Sequence, residues 1–208
     1  MEIHEAYSEW SATYDSDRNL TRDLDQAVLR KLLSGRNLKR ALEIGCGTGK
    51  NTPLLASIAE KVVALDFSPG MIARARLKLS LSNVDFQIAD INEEWPCANA
   101  SFDLISCNLV LEHIEDLSHI FRESSRVLLP GGAFFVCELH PYRQYQGTQA
   151  RFETAQGTAM IPAFVHHIAD FTSAATANGF SVLDLKEWWH EEDQGKPPRL
   201  ISFVFTRA

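Results

Sequence analysis

The sequence has few of the features that would direct a chain to a membrane, a secretory route or nucleic acid. No apolar run reaches the roughly eighteen residues that a membrane span needs, so no span is expected. The first residues, Met-Glu-Ile-His-Glu, lack the basic and apolar regions of a secretory signal. Lysine and arginine number 20 against 27 acidic residues, and the net charge of −7 disfavours nucleic acid as a partner, because phosphate binding needs a basic patch.

Patterns that would indicate disulfides or a metal site are also missing. The four cysteines are scattered and form no Cys-x-x-Cys pair: Cys46, Cys97, Cys107 and Cys137. Such spacing favours reduced thiols in a cytoplasmic protein. No His-Glu-x-x-His occurs, and the adjacent His166 and His167 cannot both face one ion from a regular helix. We therefore expect a cytoplasmic protein with no bound metal.

What is present is an alternation of short apolar runs with helical stripes over 208 residues, a length that suits one α/β domain over 1–208. The strand–helix alternation predicts a parallel sheet. The predicted helices cover 20–33, 52–60, 69–81, 117–129 and 167–178. The predicted strands after the first are 61–66, 84–90, 101–107, 133–139, 181–188 and 200–206, the last two as an antiparallel edge pair.

The chain is organised around a glycine loop at 40–52. An apolar run ends in three glycines at alternate positions, Gly45, Gly47 and Gly49, and Thr52-Pro53 follows as a candidate helix start with Thr52 as N-cap. The pattern predicts a buried strand, a tight turn and a helix. In an open α/β sheet this turn lies at the carboxyl edge of the strands, where ligands bind.

The spacing of the loop disfavours two of its three possible ligand classes. A phosphate-binding P-loop would need glycine in place of Ile44 and a hydroxyl in place of Asn51. A dinucleotide-binding Gly-x-Gly-x-x-Gly motif that starts at Gly45 would need glycine in place of Lys50. Glu43, two residues before the first glycine, would repel a pyrophosphate but suits a cationic or hydroxyl-bearing ligand.

Asp66 ends the strand 61–66, about twenty residues past the loop, where doubly wound folds place a carboxylate that accepts ribose hydroxyls. The alternative is a helix N-cap. Ser68-Pro69 already supplies the cap and first position of the next helix, which favours ribose contact.

These motifs resemble those of the class I (Rossmann-like) S-adenosylmethionine-dependent methyltransferases, of the small-molecule type 11 group. The first motif reads Glu43-Ile-Gly45-x-Gly47-x-Gly49, and Ser101-Phe-Asp, Leu-Glu-His113 and Leu129-Pro-Gly-Gly resemble later family segments. The start, Tyr7-Ser-Glu-Trp-Ser-Ala-Thr-Tyr-Asp15, resembles that of the methyltransferases of quinone and biotin pathways. The resemblance implies a doubly wound seven-stranded sheet of order 3-2-1-4-5-7-6, with strand 7 antiparallel and helices on both faces.

The resemblance also implies the cofactor, S-adenosylmethionine with S-adenosylhomocysteine as product, and its contacts. Phe67 would flank the adenine, Asp90 would take its exocyclic amine, and Ile91 would pack on the ring, although Asp90 could instead cap a turn. Asn108 and Leu109 would line the methionine arm. The full predicted set is Tyr14, Glu43, Gly45, Cys46, Gly47, Gly49, Asp66, Phe67, Met71, Asp90, Ile91, Asn108 and Leu109.

Two segments are candidates for covering the cofactor and holding the acceptor. Residues 1–35 form a candidate lid or cap. Tyr7, Trp10 and Tyr14 have the spacing of one helical face, and the resemblance to the quinone- and biotin-pathway methyltransferases implies that an N-terminal tyrosine covers the ligand; ordinary packing on the core is the alternative. Residues 140–165 show no period and are expected to be a long acceptor-site loop.

Within the loop at 140–165, Arg143 or Arg151 could clamp an acidic acceptor, since a guanidinium donates two parallel hydrogen bonds; both could instead be surface residues. Candidates for a catalytic group are His113, His140 and Tyr142, and for His113 a structural role competes.

The predicted function is methyl transfer to a small-molecule acceptor by in-line displacement, through positioning and exclusion of water. A general base is needed only if the acceptor has a proton to lose. Two alternatives are a non-catalytic S-adenosylmethionine-binding regulator and a nicotinamide-dependent oxidoreductase. The second is disfavoured by Lys50 and by the lack of a second catalytic domain.

Overall fold

The computed structural model describes residues 7–8, 10–11, 14–16, 18–154 and 157–208, with the backbone alone for 151–154 and 158–159. The helices of this part of the chain are α1 (Leu20–Leu33), α2 (Thr52–Ile58), α3 (Pro69–Lys78), α4 (Leu117–Val127), α5 (Pro141–Tyr145) and α6 (Ile168–Ala177). The strands are β1 (Leu38–Ile44), β2 (Ala59–Asp66), β3 (Val84–Ile88), β4 (Phe102–Asn108), β5 (Leu128–Leu139), β6 (Arg151–Thr154), β7 (Gly157–Met160), β8 (Phe180–Trp188) and β9 (Leu200–Arg207).

Seven strands form one sheet in the order β3-β2-β1-β4-β5-β9-β8. The first five strands of this order, β3-β2-β1-β4-β5, pair in parallel, and β9 runs antiparallel to both β5 and β8. Because β6 and β7 form a separate hairpin, β8 and β9 are the sixth and seventh strands of the main sheet. The predicted order 3-2-1-4-5-7-6 with an antiparallel seventh strand is therefore confirmed.

Hydrophobic side chains on the two faces of the sheet hold the helices in place. Along β1, Leu42 and Ile44 belong to the core cluster that includes Phe121 of α4, whereas Ala41 belongs to the one that includes Leu29 of α1. Successive strand side chains point to opposite faces, so a run that is buried throughout requires cover on both sides. The strands must therefore lie between helices, which leaves their carboxyl ends as the accessible edge.

Several local predictions differ from the structure. Asn51, not Thr52, is the N-cap residue of α2, because the Thr52 hydroxyl donates to Oε2 of Glu43 at 2.6 Å instead. The segment 140–165 is not a loop without structure: it contains α5 and the β6–β7 hairpin, two short strands of four residues each. No described helix is long and apolar enough to cross a membrane.

Candidate functional site

A cavity of about 280 Å³ opens at the carboxyl edge of the sheet, beyond the ends of β1, β2 and β4. Twelve of the thirteen predicted cofactor residues line it: Tyr14, Glu43, Gly45, Cys46, Gly47, Asp66, Phe67, Met71, Asp90, Ile91, Asn108 and Leu109. Residues far apart in sequence therefore meet at one concave surface. Gly49 does not line the cavity and packs next to Leu79 and Thr52 instead.

The glycine turn has a left-handed backbone at each of its glycines, with φ of 68° at Gly45, 54° at Gly47 and 77° at Gly49. A Cβ on Gly45 would lie 2.2 Å from a methyl of Val110, and one on Gly49 would lie 2.6 Å from Leu79. A Cβ on Gly47 would meet no heavy atom within 4 Å. Gly45 and Gly49 are thus fixed by protein packing, while the bare backbone at Gly47 is open to a ligand.

Asp66 connects the glycine turn to the start of α3. Its Oδ2 accepts the Gly47 N–H at 2.8 Å, and its Oδ1 accepts the Ser68 N–H at 2.9 Å. Burial raises the pKa of this carboxyl from 3.8 to about 6, against the two backbone hydrogen bonds, which lower it. At neutral pH Asp66 is therefore an anion in the cavity wall with acceptor capacity to spare, since a carboxylate offers about four lone-pair sites.

Glu43 is buried beneath the turn, where the Thr52 hydroxyl is its partner. Burial raises the pKa of this carboxyl from 4.5 to about 8, so it keeps its proton at neutral pH in the absence of a cation. A cationic ligand group nearby would favour the ionised form and lower that pKa.

Two residues of α1 that the sequence analysis missed, Arg22 and Asp25, also line the cavity. Asp25 is 3% exposed; its Oδ2 accepts from the Asn51 amide at 2.8 Å and its Oδ1 from the Asn108 amide at 2.6 Å. The guanidinium of Arg22 lies 4.0 Å from the ring centroid of Tyr14. One feature of the sequence could have indicated both residues as candidates for the site. They are charged residues about one helical turn apart, and they interrupt the apolar face of an amphipathic helix.

The three aromatic residues of the N-terminal segment pack on one another beside the cavity. Ring centroids are 5.8 Å apart for Tyr7 and Trp10, and 4.7 Å apart for Trp10 and Tyr14. Trp10 is 5% exposed and packs against Ile161, which follows the β6–β7 hairpin. Tyr7 and Tyr14 line the cavity, but Tyr14 lies in a turn rather than on a helix.

The segment after β4 forms the opposite wall and is held by a buried acid. Leu109 has a φ of 57°, and its N–H donates to the Cys137 carbonyl at 2.9 Å. Oε1 of Glu138 accepts the next two backbone N–H groups, of Val110 and Leu111, at 3.0 and 3.1 Å. A left-handed backbone at a non-glycine residue persists only where its surroundings fix it, and Glu138 is one such restraint.

Of the weaker site candidates whose side chains the structure describes, His113 alone lines the cavity. His140 accepts the Tyr142 N–H in a cap and contacts Glu187, and Tyr142 is 49% exposed. Arg143 pairs with the buried Asp193 at 2.9 Å and donates to the carbonyls of Pro197 and Pro198. The guanidinium of Arg143 is thus satisfied away from the cavity in a largely buried ion pair, so Arg143 pairs with an acid as the alternative expected, but it is not a solvated surface residue. The side chain of Arg151 lies outside the described residues.

Within the described part of the chain, no group of three or more His, Cys, Asp and Glu side chains is placed to hold a metal ion. The cysteines Cys46, Cys107 and Cys137 are buried free thiols, and burial raises the pKa of each, so none is a ready thiolate.

The chain is similar in sequence to a family of known enzymes. The family model described as "Methyltransferase domain", of the type 11 group, matches residues 42–136. A ubiquinone biosynthesis O-methyltransferase of Xanthomonas oryzae pv. oryzae is 31% identical over 73% of this chain, and the match spans 63% of that enzyme. A protein of Emericella nidulans described as an uncharacterized methyltransferase is 26% identical, over 100% of this chain and 86% of its own.

Solved structures share the fold. An S-adenosylmethionine-dependent methyltransferase from Mesorhizobium loti aligns with a TM-score of 0.74 at 21% identity, over 91% of this chain and 100% of that one. The DhpI–SAH complex aligns with a TM-score of 0.74 at 24% identity, over 97% of this chain and 93% of that one. In its matched region, its relatives and the topology of its sheet, the chain is therefore similar to the class I S-adenosylmethionine-dependent methyltransferases of the type 11 group.

Proposed function

We propose that this enzyme transfers the methyl group of S-adenosylmethionine to a small-molecule acceptor at the cavity above β1, β2 and β4. The observation that carries the proposal is the pairing of an open backbone at Gly47 with the buried anion of Asp66, at the sheet edge where doubly wound folds bind nucleosides. The glycine spacing, which suits neither a P-loop nor a dinucleotide, agrees with it.

The adenosine half of the cofactor would lie between β2 and β3. The free lone pairs of Asp66 would accept the ribose hydroxyls in a bidentate grip. Phe67, Met71 and Ile91 would supply apolar contacts to the adenine, and Asp90 would accept from its exocyclic amine. All five line the cavity.

The methionine half would reach toward α1, where the wall carries both signs of charge. An α-amino acid needs an acceptor for its ammonium and a donor for its carboxylate. Asp25 supplies the first together with Oδ1 of Asn51, which is buried and has no partner among the described residues. Arg22 supplies the second. Asn108 and Leu109 would pack along the chain between the two ends.

The chemistry follows from the cofactor's charge. The sulfonium methyl is already activated, so the protein needs to hold the acceptor in line with sulfur and carbon and to keep water away. Such ordering of two reactants is worth about 7–11 kcal/mol of barrier. Tyr7 and Tyr14, which line the cavity, would supply part of the cover.

The acceptor is proposed to be a small oxygen nucleophile, because the Xanthomonas oryzae relative is named an O-methyltransferase. The aromatic side chains of Tyr7 and Phe67 beside the opening, with ring centroids 6.2 Å apart, suit a flat body.

Equilibrium binding tests the proposal first. Titration calorimetry should show binding of S-adenosylmethionine and S-adenosylhomocysteine, and little or none of NAD, which lacks the amino acid end. Transfer of a radiolabelled methyl group to phenolic acceptors is then the test of turnover. Binding of NAD with no heat from S-adenosylmethionine would refute the assignment.

A further inference from the structure

The imidazole of His113 is hydrogen-bonded at both nitrogens, and its partners determine where its proton lies. Nδ1 is 2.8 Å from the carbonyl oxygen of Pro162, and Nε2 is 2.7 Å from the hydroxyl of Tyr7. A carbonyl oxygen only accepts, so Nδ1 must carry the hydrogen. In the neutral ring Nε2 is then the acceptor, and the Tyr7 hydroxyl donates to it.

This assignment leaves one role for the Tyr7 oxygen inside the cavity. A phenol has a single proton, and that proton is directed at His113. Toward a molecule bound in the cavity, which both residues line, the oxygen of Tyr7 can therefore only accept. An acceptor placed against it must bring a hydrogen of its own.

From this geometry, and resting on the methyl transfer proposed above, we propose that Tyr7 and His113 form a proton relay, with His113 as the general base. The acceptor is then a molecule whose methylated atom bears a hydrogen, such as a phenol, rather than a carboxylate.

The step balances without a further reagent. The acceptor oxygen forms a bond to the methyl carbon as the carbon–sulfur bond breaks, and the electron pair of that bond stays on sulfur. The acceptor proton passes to the oxygen of Tyr7 while the Tyr7 proton passes to Nε2 of His113. The products are the methyl ether, S-adenosylhomocysteine and an imidazolium that later releases its proton to water.

The surroundings of the pair keep both groups in the required form. Burial lowers the pKa of His113 below its ordinary 6.5, although the Pro162 carbonyl raises it, so the ring is a free base at neutral pH. Burial, with the charges of Tyr14, Glu112, Asp66 and Glu138, raises the pKa of Tyr7 well above 10, which keeps its phenol protonated.

Among the charged groups around this pair, Glu112 lies nearest to the base, with Oε1 3.8 Å from Nε2. Burial raises the pKa of Glu112 to about 7, so it is partly protonated at neutral pH. Where it is ionised it would stabilise the imidazolium formed in the step.

The chain contains a matched control pair. The hydroxyl of Tyr145 is also hydrogen-bonded to a histidine, at Nδ1 of His167, but both residues lie outside the cavity, and Tyr145 is 56% exposed. Tyr145→Phe and His167→Gln make the same chemical changes as Tyr7→Phe and His113→Gln. We expect the control variants to keep wild-type turnover.

Turnover is measured with phenols of graded acidity, from phenol to 4-nitrophenol, and with benzoate. With phenol at pH 7, His113→Gln should lower kcat by about 10²–10⁴-fold, the usual worth of a general base, while the Kd for S-adenosylmethionine stays within about threefold. The deficit should shrink with 4-nitrophenol and at higher pH, because an acceptor that ionises in water needs no base. A deficit that stays constant across pH and phenol acidity would mean a structural role and would overturn the relay, as would turnover of benzoate and of no phenol.

A second measurement needs no acceptor. The imidazole ¹⁵N shifts of His113 in the full chain with S-adenosylhomocysteine bound should show the Nδ1–H tautomer at neutral pH. An Nε2–H tautomer, or an imidazolium, would overturn the relay even if methyl transfer is confirmed. Absence of S-adenosylmethionine binding would instead refute the methyltransferase site itself, so the two failures are distinguishable.

Discussion

The most direct test of the cofactor site is Asp66→Asn, because the structure predicts opposite effects on stability and on binding. The substitution removes a buried charge and keeps the size of the side chain. In the wild type, ionising Asp66 in the fold costs about 3 kcal/mol at pH 7, since its pKa is about 6 instead of 3.8. Asparagine relieves that cost.

The same substitution removes one of the two acceptors used by the backbone. An amide has one oxygen, so the N–H of either Gly47 or Ser68 loses its partner, at about 1–3 kcal/mol for a buried donor. The two effects nearly cancel. We expect the free energy of unfolding of the unliganded protein at pH 7 to stay the same or to rise by up to about 2 kcal/mol.

Binding has no such compensation. The ribose hydroxyls lose a charged acceptor worth at least about 2 kcal/mol, which is roughly a 30-fold rise in the Kd for S-adenosylmethionine. Asp103→Asn is the control: its carboxylate also accepts two backbone N–H groups, of Lys39 and Arg40, but at the opposite end of the sheet. Calorimetry and denaturant unfolding measure both quantities.

Two outcomes would refute the reasoning about Asp66. If Asp66→Asn binds S-adenosylmethionine within about twofold of the wild type, the carboxylate does not hold the ribose. If the variant instead loses several kcal/mol of stability without ligand, Asp66 anchors the fold, and any loss of affinity is secondary.

Four further predictions follow from the same structure. Deleting residues 1–16 should weaken S-adenosylmethionine binding about tenfold or more while changing the unliganded Tm little; a collapse of the unliganded Tm would place the segment in the core. Arg22→Lys should raise the Kd for S-adenosylmethionine about tenfold in calorimetry, because the planar fork for the methionine carboxylate is lost, and an unchanged Kd would exclude that contact. Activity should survive dialysis against EDTA, and its loss with recovery on adding Mg²⁺ or Zn²⁺ would show a metal site. Burial raises the pKa of Glu43 and Glu138 from 4.5 to about 8, so unfolding releases protons from both carboxyls as the pH rises. The free energy of unfolding should therefore fall by at least about 2 kcal/mol from pH 5 to pH 8.5, and Glu138→Gln should reduce this fall. Urea titrations that show stability rising over this interval would contradict the prediction.

Local signals in the sequence predicted the strands, the helices, the glycine turn and Asp66, whereas the order of the sheet and most of the cofactor contacts were predicted from the resemblance to the methyltransferases. A buried run that ends in Gly45 can only be followed by a turn, and an acid at Asp66 marks the end of the next strand. These positions meet in space because parallel strands have their carboxyl ends at one edge of the sheet. Residues that follow successive strands in the sequence therefore surround one cavity.

The features that escaped prediction depend on contacts between distant segments. Thr52 is a good cap residue by type, but Glu43 competes for its hydroxyl. The β6–β7 hairpin has strands of only four residues, too short for a period to stand out. Arg143 has the chemistry of an acid clamp, yet Asp193, fifty residues later, holds it elsewhere.

Gly45, in the cofactor turn, packs against Val110, in the cavity wall that follows β4. A methyl of Val110 lies where a side chain at 45 would begin, and Val110 is itself fixed through its N–H by Glu138. The cofactor turn and the segment after β4 are therefore packed directly against each other. A side chain at 45 would meet both the Val110 methyl and the left-handed backbone at φ 68°, so a smaller residue at 110 should restore the stability lost in Gly45→Ala only in part.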